Sequence, residues 1–180
     1  MVIMDRRQIK SKKAIFCAFS ELIKHKHYSK ITVNDIIIKA DLCRSTFYSH
    51  FETKEALLKA LCSEIFDHIF SGSMCEYTPI ENTLQNKLAH LLMHIKNDQF
   101  EIAKILTSDS GNLLMGYLKE YLAKLFMLHK EDFHINLSLD FFINHLVGSF
   151  SEAILWWVKR DMQDDPMLIS KNFLSLIEKH

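Results

Sequence analysis

Apolar positions along this chain recur at helical spacing, and nowhere does a clean strand alternation replace it. Over residues 6–25, Ile15, Ala18, Phe19 and Leu22 form one stripe, while Arg6, Arg7, Lys10, Lys12 and Lys13 crowd the start. Val33, Ile36, Ile37 and Ala40 repeat the pattern on a short helix. Thr32 stands in front of it as an N-cap, its oxygen placed to accept from the first unpaired N–H groups. Asp41, Leu42 and Cys43 are enough only for a turn. The spacing then predicts a second short helix, residues 44–51, that buries Leu42, Phe47 and Phe51 and turns Arg44, Ser45, Thr46, Tyr48 and His50 outward. Thr53-Lys54-Glu55 opens a fourth helix with Leu57, Leu58, Leu61, Ile65 and Ile69 inward.

Ser71-Gly72-Ser73 and Thr78-Pro79 mark a boundary. Beyond it the pattern predicts helices over residues 80–95, 99–106, 113–128 and 136–162, with breaks at Asn97-Asp98 and residues 108–112, and a last helix opened by Asp165-Pro166. The expected fold is all-α: a three-helix head over residues 1–70, with a helix-turn-helix at about 32–51, and a larger helical body over residues 71–180. Hydrophobic content of 48% with 4 Gly and 2 Pro agrees, because so few turn-formers cannot connect many short strands.

The formal net charge is zero, which by itself speaks against a nucleic-acid partner. Position changes that conclusion. Residues 1–54 hold 11 Lys and Arg against 5 Asp and Glu, a net of +6, and the remaining residues hold 11 against 17, a net of −6. A basic head on an acidic body is the electrostatic footprint of a DNA-binding domain carrying a different kind of second domain. An outward helix face bearing hydroxyls, an aromatic ring and basic groups suits phosphate and base-edge contact in a major groove.

At these residues the chain resembles the TetR family of bacterial transcriptional regulators. Ile31-Thr32, Val33, Ile36, Ala40, Leu42, Thr46, Phe47, Tyr48, His50, Phe51 and Lys54 fall on the family pattern without a gap, although Asp41 replaces the usual turn glycine and Cys43 the usual Ser or Thr cap. The resemblance implies DNA contact through Thr32, Asn34, Arg44, Ser45, Thr46, Tyr48, His50 and Lys54. Of these, Thr46, Tyr48, His50 and Lys54 would hold phosphates, and Asn34 and Arg44 would read bases. It further implies a cytoplasmic homodimer on a palindromic double-stranded DNA operator, acting as a ligand-responsive repressor. The segment from Leu139 onward also resembles the C-terminal end of these regulators, with Phe141, His145, Gly148 and Trp156 expected at a dimer interface. That helix carries too many apolar residues for one face, so a second surface should cover it.

An effector pocket is expected between the helices over residues 113–128 and 139–162, lined by Phe100, Tyr117, Tyr121, Phe126, Phe141 and His145 and suited to an apolar or weakly polar ligand. Lys96 to Phe100 and on to Leu113 resembles regulators of dihydroxyacetone kinase operons. That leaves open an alternative, a DNA-bound co-activator whose body docks a protein instead of a small molecule.

Catalytic chemistry finds no support: there is no Ser-His-Asp order, Gly-rich phosphate loop or paired-carboxylate constellation. His90 and His94 have metal-ligand spacing without a third ligand in reach, so ordinary histidines, no metal and no cofactor are expected. The 4 cysteines, Cys17, Cys43, Cys62 and Cys75, show no metal-binding spacing and read as free thiols, with Cys17 and Cys62 on apolar faces. Cys43 reads as a passive thiol. Neither a signal peptide nor a bilayer-spanning run is expected.

Overall fold

The computed structural model describes residues 6–71, 82–97, 102–108 and 111–177, with only the backbone for residues 65–71. The helices are α1 (Arg6–His25), α2 (Val33–Ala40), α3 (Arg44–His50), α4 (Lys54–Ser71), α5 (Leu84–Asn97), α6 (Ile102–Leu106), α7 (Gly111–Leu128), α8 (Leu139–Lys159) and α9 (Pro166–Ser175). Short 3₁₀ turns occupy Tyr28–Lys30 and Lys130–Asp132, and no strand occurs among the described residues. Phe100, Gly72, Ser73, Thr78-Pro79, Cys75, and the side chains of Ile65, Ile69 and Ser71 lie outside what the structure describes.

The head is a three-helix cluster around aromatic and aliphatic residues that reach it from every element. Ile15, Phe16, Phe19 and Ile23 of α1 meet Ile31, Ile36, Phe47 and Phe51, with Phe16 and Phe51 rings 5.6 Å apart. Helix α2 starts on a reciprocal cap: the Asp35 N–H donates to Thr32 Oγ1 at 3.1 Å, and the Thr32 N–H donates to the Asp35 carboxylate at 2.8 Å. It ends with the Leu42 N–H on the Ile37 carbonyl and the Asp41 N–H on the Ile38 carbonyl, the pattern of a Schellman turn. Asp41 holds the left-handed position of that turn, at φ 53 and ψ 51, which a short polar side chain tolerates better than most. Cys43, one residue before α3, makes no side-chain cap bond to the backbone.

Helix α4 leaves the head and packs on α5 and α7 of the body, and α1 also reaches α6. In the body α7 lies on α8 and α5 on α9. Phe126 of α7 sits among Phe150 and Phe173, at ring-centroid distances of 6.3 and 6.0 Å, and has no exposed surface. Trp157 is fully buried and donates through Nε1 to the Asp164 carbonyl at 2.9 Å, joining the end of α8 to the start of α9. Pro166 follows an Asp165 cap that accepts from the Met167 and Leu168 N–H groups.

Three expectations change. Helix α5 begins at Leu84, with residues 82–83 outside any helix, and α8 begins at Leu139 and ends at Lys159, after which Asp161 and Met162 turn to positive φ. Cys17 is exposed, because Phe16 and Ala18 on either side take the buried face of α1; Cys62 alone of the described cysteines is buried.

Candidate nucleic-acid interface

Helix α3 is held from below by Phe47, with no exposed surface, and by Phe51 at its end. That anchoring dictates what remains outside. Arg44, Ser45, Tyr48 and Ser49 are exposed, Thr46 and His50 half-buried. The Arg44 guanidinium lies 5.9 Å from the Tyr48 ring centroid one turn later, and the Tyr48 ring stands edge-on to Phe47 at 5.4 Å. Stacking stiffens Arg44 while leaving its donor fork free to meet a guanine edge. Asn34, exposed in the first turn of α2, and Thr32 flank this surface. Lys10 and Lys13 of α1 are exposed as well, whereas Lys12 is paired with Glu64 at 2.8 Å.

Two of the expected phosphate ligands have partners inside the protein. Lys54 Nζ donates to the Tyr28 and Ile31 carbonyls, each at 2.7 Å, and sits 4.0 Å from the Tyr28 ring centroid. It thereby ties the start of α4 to the turn that precedes α2, and one N–H is left for a phosphate. Burial lowers its pKa from the ordinary lysine value. The His50 Nε2 lies 2.7 Å from the Ser11 hydroxyl of α1. Burial and the nearby Lys12 charge lower the pKa of His50, so the neutral ring bridges α1 and α3 at neutral pH rather than acting as a cation. Sequence pattern pointed to neither Ser11 nor Tyr28. Ser11 looks like any surface serine on α1, and only the crossing of α1 over α3 gives it a partner.

Cys43 faces the same surface. Its sulfur lies 2.9 Å from Thr46 Oγ1 and 3.2 Å from Ser45 Oγ. Hydrogen bonds from Ser45, then from Thr46, bring its pKa down to about 7, while burial pushes Cys62 up to about 12. Cys43 ahead of α3 and Cys62 within α4 are thus chemically distinct.

Of the residues expected to line one pocket, those that the structure describes are not brought together. Tyr121 donates its hydroxyl to Ser63 Oγ of α4 at 2.8 Å, and half-buried Tyr117 lies one turn before it on α7. Phe126 is core, whereas Phe141, 64% exposed, and His145 face outward from α8. Phe141, His145, Gly148 and Trp156 do share one side of α8 at 100° per residue. Beside them an open groove of about 410 Å³ runs between α8 and α9, lined by Ser149, Ala153, Trp156, Leu168 and Asn172 among others. A Cβ placed on Gly148 would meet no atom of the protein within 4 Å. Among the described residues no three metal-ligating side chains converge, and no helix is long and apolar enough to cross a membrane.

Comparison with known proteins agrees with this geometry. Residues 11–61 match the model for bacterial regulatory proteins of the tetR family, and residues 82–179 match that for a transcriptional regulator C-terminal region. The crystal structure of a TetR transcriptional regulator from Streptococcus agalactiae 2603V superposes with a TM-score of 0.77 at 32% identity, over 97% of each chain. An uncharacterized HTH-type regulator of Bacillus subtilis, YxbF, is 27% identical over 97% of this chain and 46% of its own. The dhaKLM operon activator DhaS of Lactococcus lactis is 30% identical over 59% of this chain and 54% of its own. This chain therefore spans about half the length of the curated relatives it matches.

Arg44→Ala should relax the preference at one base pair by roughly 1–3 kcal/mol while sparing random-sequence affinity. Lys54→Ala should instead weaken all duplexes alike and lower the melting temperature, since it removes the side-chain donor from the Ile31 carbonyl, at about 1–3 kcal/mol, while the Tyr28 carbonyl keeps the Ile31 N–H. Competition binding to operator and random DNA separates the two; equal losses for Arg44→Ala would refute its base-reading role. Iodoacetamide should alkylate Cys43 with half-maximal rate near pH 7 and leave Cys62 untouched until unfolding. Mass spectrometry with and without bound operator checks this, and unprotected Cys43 in the complex would place α3 away from DNA.

Proposed function

This chain belongs to the TetR family of bacterial regulatory proteins, and we propose that it acts in the cytoplasm as a ligand-responsive repressor, a homodimer on a palindromic operator. Membership makes it a DNA-binding transcriptional regulator and not an enzyme. The head, residues 1–70, presents α3 to the major groove, with Arg44 and Asn34 toward the bases and Thr32, Ser45, Thr46 and Tyr48 toward the backbone. His50 and Lys54 position this surface and add a phosphate contact where a donor remains. The body, residues 71–180, dimerises and receives the effector. Separate family models for 11–61 and 82–179 support that division.

The observation that carries the dimer is the outer face of α8. Exposed Phe141 and Trp156 flank Gly148 on one side of a helix, next to an apolar groove, and a second copy can cover them through the same face turned by a two-fold. Such a two-fold sets the two α3 helices on successive major grooves, roughly 34 Å apart. A ligand preferring a different head separation then lowers operator affinity by its differential affinity for the two shapes.

The similarity to the activator DhaS favours a second reading, an activator whose body docks a protein. Selection of binding sites from a random duplex pool should return an inverted repeat; a single asymmetric half-site would refute the dimeric reading. Placed in a promoter, the selected site should lower reporter expression when this chain is present, and a rise would favour the activator. Gly148→Glu leaves the protomer unobstructed, so it should fold, sediment as a monomer and lose inverted-repeat affinity by about 100-fold or more. A wild-type monomer at micromolar concentration would overturn the model.

A further inference from the structure

His50 closes α3 on the DNA-facing surface, but one nitrogen of its ring is committed to the protein. Nε2 lies 2.7 Å from Ser11 Oγ of α1. That hydroxyl owns a single proton, and two carbonyls of its own helix are within reach, Gln8 at 3.0 Å and Arg7 at 3.1 Å. A serine inside a helix commonly returns its proton to such a carbonyl. Its oxygen then offers lone pairs to the ring, so the short contact is Nε2–H donating to Oγ. A neutral imidazole has only one N–H to give, which leaves Nδ1 as a bare acceptor. Nδ1 has no hydrogen-bond partner among the described residues and is not sealed from solvent.

A bare lone pair repels a phosphate oxygen, whereas a protonated Nδ1 donates to it with a charge behind the bond. We propose that Ser11 fixes the tautomer of His50, so that the ring grips an operator phosphate through Nδ1 only as the imidazolium and DNA binding takes up a proton there. This rests on the reading of α3 as the helix that enters the major groove, and it makes Ser11 a positioning residue acting through His50. In the free protein burial, and then the Lys12 charge, keep the ring neutral. Lys12 of α1 is itself answered by Glu64 of α4 at 2.8 Å. Glu52 and Lys54 follow α3 in the chain, and the Lys54 ammonium is held at the Tyr28 and Ile31 carbonyls. A phosphate within hydrogen-bond reach opposes burial and Lys12 alike and favours the charged ring. Affinity therefore falls as pH rises from the lowered pKa of the free ring to the higher pKa of the phosphate-bound ring, by up to about tenfold per pH unit for one proton. Cys43 titrates on the same surface with a pKa of about 7, and its thiolate also disfavours a phosphate, so its contribution has to be removed to isolate that of His50.

The test is operator affinity of the full chain carrying Cys43→Ser, read by fluorescence anisotropy at one ionic strength on the duplex returned by site selection. Affinity should rise about fivefold or more as pH falls from about 8 to about 6. Adding His50→Gln, which keeps an amide N–H for Ser11 but takes no proton, should hold affinity near its higher-pH level throughout. Adding Ser11→Ala should flatten the rise too, because the neutral ring is then able to carry its proton on Nδ1, and Ser11→Thr should restore it. A Ser11 that only stabilises the fold would instead lower affinity by one factor at every pH. Calorimetry in two buffers of different ionisation enthalpy counts the proton directly, and His50→Gln should abolish its uptake. A parent chain with flat affinity, a rise that survives His50→Gln, or an unchanged slope in Ser11→Ala would overturn the proposal while leaving the operator reading intact. Failure of every duplex to bind would overturn both.

Discussion

A helix of seven residues has too few hydrogen bonds to persist alone in water, so α3 exists only while something else holds it. Phe47 and Phe51 do this. They bury the inner side of α3 against Phe16 of α1, and full burial of one such ring contributes about 1.5–3 kcal/mol. The cap that would normally help is missing at Cys43, which makes the aromatic seat more important. Everything about the DNA-facing surface follows from this seat. With Phe47 fixed inward, the rotation of α3 is fixed, and Arg44 and Tyr48 can only point out.

Around that hydrophobic seat the polar contacts of the head set relative positions more than they add stability. His50 to Ser11 spans α3 and α1, and Lys26 to Asp35 spans the end of α1 and α2. Lys54 joins α4 to the two carbonyls ahead of α2. A shift of α4 relative to the body would therefore reach the reading helix through a short chain of defined bonds. The same helix α4 is tied to α7 by Ser63 and Tyr121. Head and body are thus coupled through α4, beside the contact of α1 with α6, which is the arrangement a regulator needs if events in the body are to alter its grip on DNA.

The body divides its apolar surface between two uses. Phe126, Phe150 and Trp157 close the interior with no exposed surface, while Phe173 borders the groove between α8 and α9. Phe141 and Trp156 leave the opposite side of α8 unfinished in a single protomer. Among the described residues of the body, the buried polar side chains are Lys87, His90, Ser151 and Ser170, and both serines satisfy their hydroxyls on helix carbonyls.

Much of this was legible in the residue order alone, because helices, caps and turns depend on neighbours a few positions apart. The bounds of α1 and α2, the Thr32 cap, the left-handed Asp41 and the missing cap at Cys43 all belong to that class. So did the family itself, whose signature is a run of local spacings around α2 and α3. Contacts between residues distant in sequence were not legible, since no local pattern records which helix crosses which. Ser11 meets His50 across 39 positions, Lys54 meets Tyr28 across 26 and Tyr121 meets Ser63 across 58. For the same reason the aromatic residues of α7 and α8, which share a pattern that fits either a pocket or a core, were divided among α4, the interior and the outer face only by the packing of the helices around them.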